Sequence, residues 1–395
     1  MRKHYIFFTR NSLPQPRADL VQVANCANAA ANLGYSTVLT YLAQPGGSLG
    51  NLLRPFRPQL PVQSFKEFYN IQAQLQIAAL PLPQLFTQSG SKWTHPSTLI
   101  SKYYVPLHLR RQTQLVHSRD WNFVKAAVQS GVAAIYEHHH HEQKQFEPEI
   151  VQHPLFQVAV TVADSVRDSM IDHGMPPDKV IKLHNGFNQA FLTRHQQAAA
   201  TWRQRLIGSI YPALAVYSGG LHAFKGVDLM LEAAKALPQV LFAFAGGSEA
   251  QVAAYRELAM QHQVRNVEFL GYLTHDALAS LLQAADLLVH PHLLSQEASF
   301  TSPLKFFDYM AAGTPIVATE IPPLMEFKST GVVAGWCEPN QPMKLADCMA
   351  RVLESHPYRS AGYPETMKFV QQFSWENRIA KILSHVEDRH RPLPA

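Results

Sequence analysis

Short apolar runs alternate with amphipathic segments along most of the chain. The runs Tyr5–Thr9, Ala213–Ser218 and Leu287–His290 have the length and composition of buried strands. Between such runs lie segments with the apolar spacing of a helix, such as Ala18–Leu33, which Gly34 terminates. Because parallel strands are joined by crossover helices, this alternation predicts α/β domains with parallel sheets.

The alternation of strands and helices occurs in two stretches of the chain. They are separated by residues 188–211, which have helical content but no strand pattern. A chain of 395 residues also exceeds the size at which a single core stops growing. We therefore predict two Rossmann-like, doubly wound domains, residues 1–190 and 191–372, followed by a terminal segment, 373–395. Residues 45–110 are rich in Pro, Gln and aromatic residues, and we expect long loops there.

Composition narrows the class of protein. Apolar residues make up 47% and charged residues 16%, which is typical of a packed globular protein. The apolar runs are far shorter than the roughly 20 residues of a membrane span, and the N-terminal run is too short for a signal peptide. The three cysteines, Cys26, Cys337 and Cys348, lack metal or redox spacing, so we expect buried thiols in a reducing, cytoplasmic setting.

The net charge of +5 favours anionic ligands or an anionic membrane surface. No Lys/Arg tract or nucleic-acid-binding module is present, so we expect no nucleic-acid partner. The segment Lys102–Arg111 mixes basic, aromatic and aliphatic residues, which indicates either peripheral membrane contact or an ordinary packed segment with snorkelling arginines.

One candidate anion site follows the strand Ala213–Ser218. Gly219 and Gly220 would let backbone N–H groups approach an anion, and Lys225 would add a positive charge. The alternative is a tight turn with a solvated lysine.

A second candidate anion site is the start of the helix predicted after Ser302. Ser302 suits the N-cap and Pro303 the first helical position, and helix N-termini bind anions. Lys305 opposes the dipole of its own helix, which suggests an anionic partner, and Asp308 lies on the same face, where it suits ribose hydroxyls. The alternative is a local Lys305–Asp308 ion pair.

Together these segments resemble the family-4 (group 1) retaining glycosyltransferases of the GT-B fold, most densely from Val180 to Pro322. The matching segments, in the family's order, are His184-Asn185-Gly186, Gly219 to Gly226, Ala245-Gly246-Gly247, Phe269-Leu270-Gly271, Ala285 to Pro291, and Ser302 to Thr319. The resemblance implies two Rossmann-like domains facing a cleft, with the acceptor on the first and the nucleotide sugar on the second. It also implies a helix, starting near Phe373, that crosses back to the N-terminal domain.

The resemblance implies transfer of a hexosyl group from a UDP-, GDP- or ADP-sugar to a glycan, lipid-linked or small-molecule acceptor, without metal or further cofactor. Lys225 matches the lysine of a basic pair that holds the pyrophosphate, while Gly220 replaces the arginine of that pair. Asp308 aligns with the glutamate that binds ribose. Phe300 aligns with the glutamate that contacts the donor sugar, and Glu297 is a candidate substitute. The other implied donor-site residues are Gly219, Gly246, Ser302, Pro303, Leu304 and Lys305.

The run Glu137–His141 follows the predicted strand Val132–Tyr136. The family has a histidine at this strand end that faces the donor sugar, and His139 is the best match. The alternatives are a solvated loop or a metal site, although no complete ligand set is evident. The segment His117-Ser118-Arg119, at another strand end, is expected to line the same cleft.

Other function classes stay open. The substitutions Phe300 and Gly220 allow a non-catalytic sugar-nucleotide or glycan-binding protein, and an NDP-sugar epimerase would share the fold. A phosphorylase would need a lysine placed to hold pyridoxal phosphate, for which no context is evident. An NAD-dependent oxidoreductase is disfavoured because the GxGxxG fingerprint is missing.

Overall fold

The structure is a computed structural model that describes residues 3–44, 53–72, 74–82, 98, 100–295 and 304–394. The chain divides into two compact units. Unit 1 comprises Met1–Asn185 and Trp375–Ala395, and unit 2 comprises Gly186–Ser374. The sequence-based boundaries lie after residues 190 and 372.

Unit 1 contains a seven-stranded parallel sheet with the strand order β3-β2-β1-β4-β5-β6-β7. The strands are β1 His4–Thr9, β2 Thr37–Leu42, β3 Gln76–Leu80, β4 Thr113–Ser118, β5 Ala133–Glu137, β6 Phe156–Thr161 and β7 Val180–Lys182. The strand order reverses between β1 and β4, and ligands of such sheets bind at the carboxyl edge near this switch point.

The helices of unit 1 connect these strands. They are α1 Ala18–Asn32, α2 Gln63–Tyr69, α3 Trp121–Gln129, α4 Pro148–Val151 and α5 Asp164–Asp172, with a π-helical segment at Ile100–Leu109 and 3-10 turns at Arg110–Gln112, Pro177–Lys179 and Asp388–His390. The terminal helix, Trp375–Ser384, packs against α1, where Asn32 Nδ2 donates to Glu376 Oε1 over 2.7 Å. The helix that starts near Phe373 therefore returns to the N-terminal unit, as predicted.

Unit 2 repeats the same plan with six parallel strands in the order β10-β9-β8-β11-β12-β13. The strands are β8 Ala213–Ser218, β9 Val240–Ala245, β10 Val267–Gly271, β11 Leu287–His290, β12 Ile316–Thr319 and β13 Gly335–Cys337. Its switch point lies between β8 and β11. Alternate residues of β8 pack into two different core clusters. Leu214 and Val216 belong to one, and Ala215 and Tyr217 belong to the other, so the sheet is covered on both faces.

The helices of unit 2 supply these two covering layers. They are α6 Gln196–Leu206, α7 Val227–Ala236, α8 Glu249–Gln261, α9 His275–Ala284, α10 Leu304–Ala312, α11 Pro342–Ser355 and α12 Pro364–Val370, with 3-10 turns at Gln189–Leu192, Ala223–Lys225, Pro322–Phe327 and Gln371–Phe373. Helix α6 packs on α9, and Arg203 of α6 pairs with the Asp286 carboxylate over 2.7 Å. The segment 188–211 is therefore anchored in unit 2.

The structure adds regular elements where loops were expected. Within 45–110, the described residues include α2, β3 and the π-helical segment Ile100–Leu109. The three cysteines are free and buried, as predicted. Within the described ranges, no helix is both long and apolar enough to cross a bilayer.

Candidate functional site

The carboxyl edge of the unit 2 sheet carries the glycine loop predicted after β8. Gly219 N–H donates to Ala245 O over 2.9 Å, and a Cβ atom on Gly246 would collide with the Gly219 carbonyl. A Cβ atom on Gly226 would likewise collide with Pro291 O. These glycines are required because neighbouring backbone segments touch here and leave no room for a side chain.

Lys225 lies beside this loop. A Cβ atom built on Gly220 would be 3.9 Å from Lys225 Nζ, so the ammonium group lies over the loop. Burial and the charge of Lys305 lower the pKa of Lys225. Among the described residues no carboxylate pairs with Lys225. A partly desolvated cation repelled by a second cation favours an anionic ligand.

The structure brings Lys305 and Asp308 of α10 to the same region. Lys305 Nζ lies 3.1 Å from Asp308 Oδ2, which is the local ion pair recognised as an alternative in the sequence. The Asp308 side chain is buried, whereas Lys305 is partly exposed. The pair leaves one carboxylate oxygen of Asp308 for other hydrogen bonds. Glu297, Phe300, Ser302 and Pro303 lie outside the described residues, and Leu304 is the first described residue of α10.

Buried polar atoms without hydrogen-bond partners gather at the unit 2 switch point. They are Ser218 Oγ at the end of β8, both ring nitrogens of His290 at the end of β11, and Nδ1 of His292. The ring centroids of His290 and His292 lie 4.0 Å apart. The backbone N–H of Leu293, the residue after His292, donates to Phe224 O over 3.0 Å. Because a buried polar group without a partner is costly, this cluster indicates a place where a ligand supplies the missing bonds.

Unit 1 places His139 in a different environment, around the buried carboxylate of Glu137. Glu137 accepts bonds from His117 Nε2 and His139 Nε2, each over 2.7 Å, and from Arg378 Nη2 over 2.8 Å. Gln22 Nε2 donates to the same carboxylate over 2.7 Å. Arg378 and these hydrogen bonds hold the pKa of Glu137 well below its usual range despite its burial.

The ionised carboxylate fixes the tautomers of both histidines. It can only accept hydrogen bonds, so each Nε2 carries a proton. Tyr5 OH is hydrogen-bonded to His117 Nδ1 over 3.0 Å. Burial, and then the charge of Arg119, lower the pKa of His139 to about 3, so its imidazole is neutral at pH 7. His139 therefore offers a neutral ring of fixed orientation.

A cavity of about 600 Å³ opens at the carboxyl edge of the unit 1 sheet. Its lining carries both signs of charge and includes Arg10, Arg17, Asp19, Arg119, Asp120 and Glu147. The four carboxylates of the lining are engaged: Asp19 with Arg17, Glu147 with Lys125, Asp120 as the cap of α3, and Glu142 with the backbone N–H groups of Gln143 and Lys144. Arg119 makes a long 3.5 Å bond to Gln22, and the carboxylates of Glu137 and Asp19 attract its charge. Five basic and four acidic side chains line the cavity, so its net formal charge is only slightly positive.

Neither edge carries a metal centre in the described part of the chain, where no group of three or more His, Cys, Asp or Glu side chains is placed to hold an ion. His138, the neighbour of His139, bonds instead to Tyr136 OH over 3.0 Å.

Sequence reasoning missed the central role of Glu137 and the contribution of Arg378. The available signal was that His117 and Glu137 each lie at the end of a predicted strand, and the carboxyl ends of parallel strands meet at one edge of the sheet. Arg378 follows them by more than 200 positions, and nothing in the spacing indicates the contact.

Known proteins show the same architecture. HepE of Anabaena, solved with UDP-glucose, superposes with a TM-score of 0.66 at 15% identity, covering 97% of this chain and all of that one. The sucrose-phosphate synthase of Thermosynechococcus elongatus gives a TM-score of 0.67 at 15% identity, covering 97% of this chain and 98% of that one. At such identity the likeness concerns the fold alone, and it confirms the predicted GT-B class.

Sequence relatives point to one enzyme class. An uncharacterized glycosyltransferase of Methanocaldococcus jannaschii is 27% identical over 233 residues, which are 56% of this chain and 57% of the relative. A D-inositol 3-phosphate glycosyltransferase of Corynebacterium diphtheriae is 24% identical over 241 residues, 58% of this chain and 55% of the relative. The matches thus span little more than half the length of these relatives. The family model for glycosyl transferases group 1 matches residues 212–355, which lie within unit 2.

Proposed function

We propose that the protein is a glycosyltransferase that moves a hexosyl group from a nucleoside-diphosphate sugar to an acceptor, with retention of the anomeric configuration. The observation that carries the proposal is Lys225, a partly desolvated cation over a glycine loop at the switch point of unit 2, repelled by Lys305. A diphosphate would supply the missing negative charge. HepE, of the same fold, is described in complex with UDP-glucose, and the group 1 match lies in the same unit.

The donor would lie along the carboxyl edge of the unit 2 sheet. Its diphosphate would rest on the Gly219–Gly220 loop and accept a charged hydrogen bond from Lys225. Asp308 would accept hydrogen bonds from the ribose hydroxyls with the carboxylate oxygen that Lys305 does not hold. The unsatisfied nitrogens of His290 and His292 would find partners on the bound donor. Ser302, Pro303 and Glu297 keep their proposed donor-binding roles on sequence grounds.

The acceptor would bind the unit 1 cavity. Its volume of about 600 Å³ suits a sugar or another small molecule, or the head of a glycan or lipid. The guanidinium groups of Arg10 and Arg119 in its lining favour an acceptor that carries a negative charge. His139 would act on the transition state as a neutral, oriented imidazole, by positioning and charge stabilisation.

For location, the corresponding proposal is that the enzyme is cytoplasmic and binds peripherally to the membrane. Tyr103 and Leu107, which are 45% and 66% exposed, give the segment Lys102–Arg111 an apolar surface beside basic side chains. Co-sedimentation with anionic liposomes at low salt tests this contact, and protein that stays in the supernatant would remove it.

A binding and turnover screen tests the proposed function. The native chain is titrated by calorimetry with UDP, GDP, ADP and the matching nucleosides, and then incubated with the corresponding sugar nucleotides. We expect one diphosphate to bind much more tightly than its nucleoside, and its sugar nucleotide to be slowly hydrolysed or transferred. Binding without turnover in the presence of candidate acceptors would instead indicate a sugar-nucleotide-binding protein. Lack of binding to any nucleotide would overturn the proposal.

A further inference from the structure

The imidazole of His222 lies beside the glycine loop of unit 2, next to Lys225. The Cβ atom built on Gly220 would lie 3.0 Å from His222 Nε2 and 3.9 Å from Lys225 Nζ. The imidazole and the ammonium group therefore flank the same point above the loop. His222 is exposed, so a ligand can reach it, and its ring stacks on Phe224 with centroids 5.7 Å apart.

The tautomer of His222 follows from a hydrogen-bond chain that begins in helix α8. Ser248 and Gln251 form a capping box, in which Ser248 N–H donates to Gln251 Oε1 over 3.0 Å. The amide nitrogen of Gln251 donates to Leu221 O over 2.9 Å and lies 3.4 Å from His222 Nδ1. Because the cap fixes the amide oxygen, the Gln251 nitrogen must be the donor and His222 Nδ1 the acceptor. The proton of the neutral ring is then on Nε2, the nitrogen beside the loop.

Electrostatics agree with this neutral form. Burial and the charge of Lys225 lower the pKa of His222, so the ring is uncharged at neutral pH. A proton on Nδ1 would also face the Gln251 amide, donor against donor. The ring thus keeps one N–H group, on Nε2.

We propose that His222 is a second ligand of the donor diphosphate, donating a hydrogen bond from Nε2 beside Lys225, and that Gln251 is the positioning residue that aims it. This inference rests on the proposed function, since it assigns residues to the same diphosphate site. It also explains the loop sequence, because the ring of His222 occupies the space where a side chain at position 220 would start. A hydrogen bond to a charged oxygen is among the stronger ones, so its loss should be measurable.

Calorimetry with UDP and uridine tests the role of His222; if the native chain prefers GDP or ADP, that diphosphate and its nucleoside are used. His222→Ala should weaken diphosphate binding about tenfold or more and leave nucleoside binding unchanged, since only the former has phosphates. His222→Asn, which keeps an N–H donor, should recover part of the loss. The matched control is His262→Ala, an exposed histidine of unit 2 that contacts Glu232.

Gln251→Glu tests the positioning role with a readout that a merely structural role would not change. A carboxylate keeps the cap to Ser248, loses the hydrogen bond to Leu221 O, and accepts a hydrogen bond from Nδ1 of His222. In the neutral ring, above the histidine pKa, the single proton is then on Nδ1 and Nε2 is no longer a donor. Below that pKa the ring is cationic and donates from both nitrogens. Diphosphate affinity of this variant should therefore fall with rising pH between 6 and 8 more steeply than in the native chain. Adding His222→Ala should abolish the extra pH dependence, and Gln261→Glu, on the same helix, should not produce it.

These experiments separate the two proposals. If Lys225→Ala loses diphosphate binding but His222→Ala stays within a factor of two of the native chain, His222 is not a ligand and the glycosyltransferase proposal stands. If His222 matters but Gln251→Glu shows the native pH profile, the positioning role of Gln251 is wrong. If the native chain binds no nucleotide, the proposed function itself fails.

Discussion

Replacing Lys225 with alanine is the most direct perturbation of the proposed donor site. The ammonium group lies over the Gly219–Gly220 loop without a carboxylate partner in the described part of the chain, so its removal breaks no ion pair there. A charged hydrogen bond contributes about 1.5–3 kcal/mol, which corresponds to a loss of roughly 10- to 150-fold in affinity. Lys225→Ala also relieves the repulsion of Lys305, so the protein should remain folded and as stable as the native chain.

Calorimetry with the preferred nucleoside diphosphate and its nucleoside measures this effect. Lys225→Ala should weaken the diphosphate far more than the nucleoside, whereas Asp308→Asn should weaken both, because both carry the ribose. Lys344→Ala, an exposed lysine on α11, is the matched control and should change neither affinity. Diphosphate affinity within a factor of two of native, in a variant with native circular dichroism, would mean that the anion site is misplaced.

Three further predictions concern the chemistry and the fold. Turnover should survive EDTA, because the proposed site stabilises the leaving diphosphate with Lys225 and backbone N–H groups; activity that disappears and returns with Mn²⁺ would contradict this. His139→Ala should lower kcat at least tenfold with nucleotide affinity nearly unchanged, and full activity would remove His139 from the mechanism. Burial lowers the pKa of both His139 and His290 to about 3, whereas a histidine in the unfolded chain has a pKa of about 6.5. Below about pH 6.5 the unfolded chain therefore binds protons that the folded chain does not bind. The free energy of unfolding should therefore fall on acidification from pH 7 to 5, approaching about 1.4 kcal/mol per pH unit for each such histidine; a flat profile in urea titrations would show that these rings are not held neutral.

The parts of the fold that the sequence predicted are those whose signal is local. Runs such as Ala213–Ser218 carry their strand pattern within six residues, and the observed β8 has the same bounds. The loop after it was predicted because glycine and lysine next to a strand end have a direct physical meaning. The strand Gln76–Leu80 was not separated from its surroundings, because proline and glutamine nearby obscure the alternation.

The parts that could not be predicted depend on contacts between distant positions. Arg378 reaches Glu137 only because the terminal helix returns to unit 1, and the amide of Gln251 reaches His222 only because helix α8 starts beside the loop after β8. The first contact favours the ionised form of Glu137, and the second favours one tautomer of His222. Neither contact produces a periodic pattern in the sequence. The ion pair of Lys305 with Asp308 is the opposite case, since a spacing of three residues on a helix was enough to foresee it.

Two buried polar clusters, one at each sheet edge, differ in their hydrogen bonding. In unit 1 the Glu137 carboxylate accepts four hydrogen bonds, and removing Arg378 would leave a buried charge unpaired, at a cost of about 3–5 kcal/mol. In unit 2 both ring nitrogens of His290 and Nδ1 of His292 lack partners, and Lys225 has no counter-ion among the described residues. The first arrangement fixes the orientation of His139, as the role proposed for this ring in charge stabilisation requires. The second leaves free energy to be gained on binding, so the proposed donor edge is where a ligand should raise the melting temperature most.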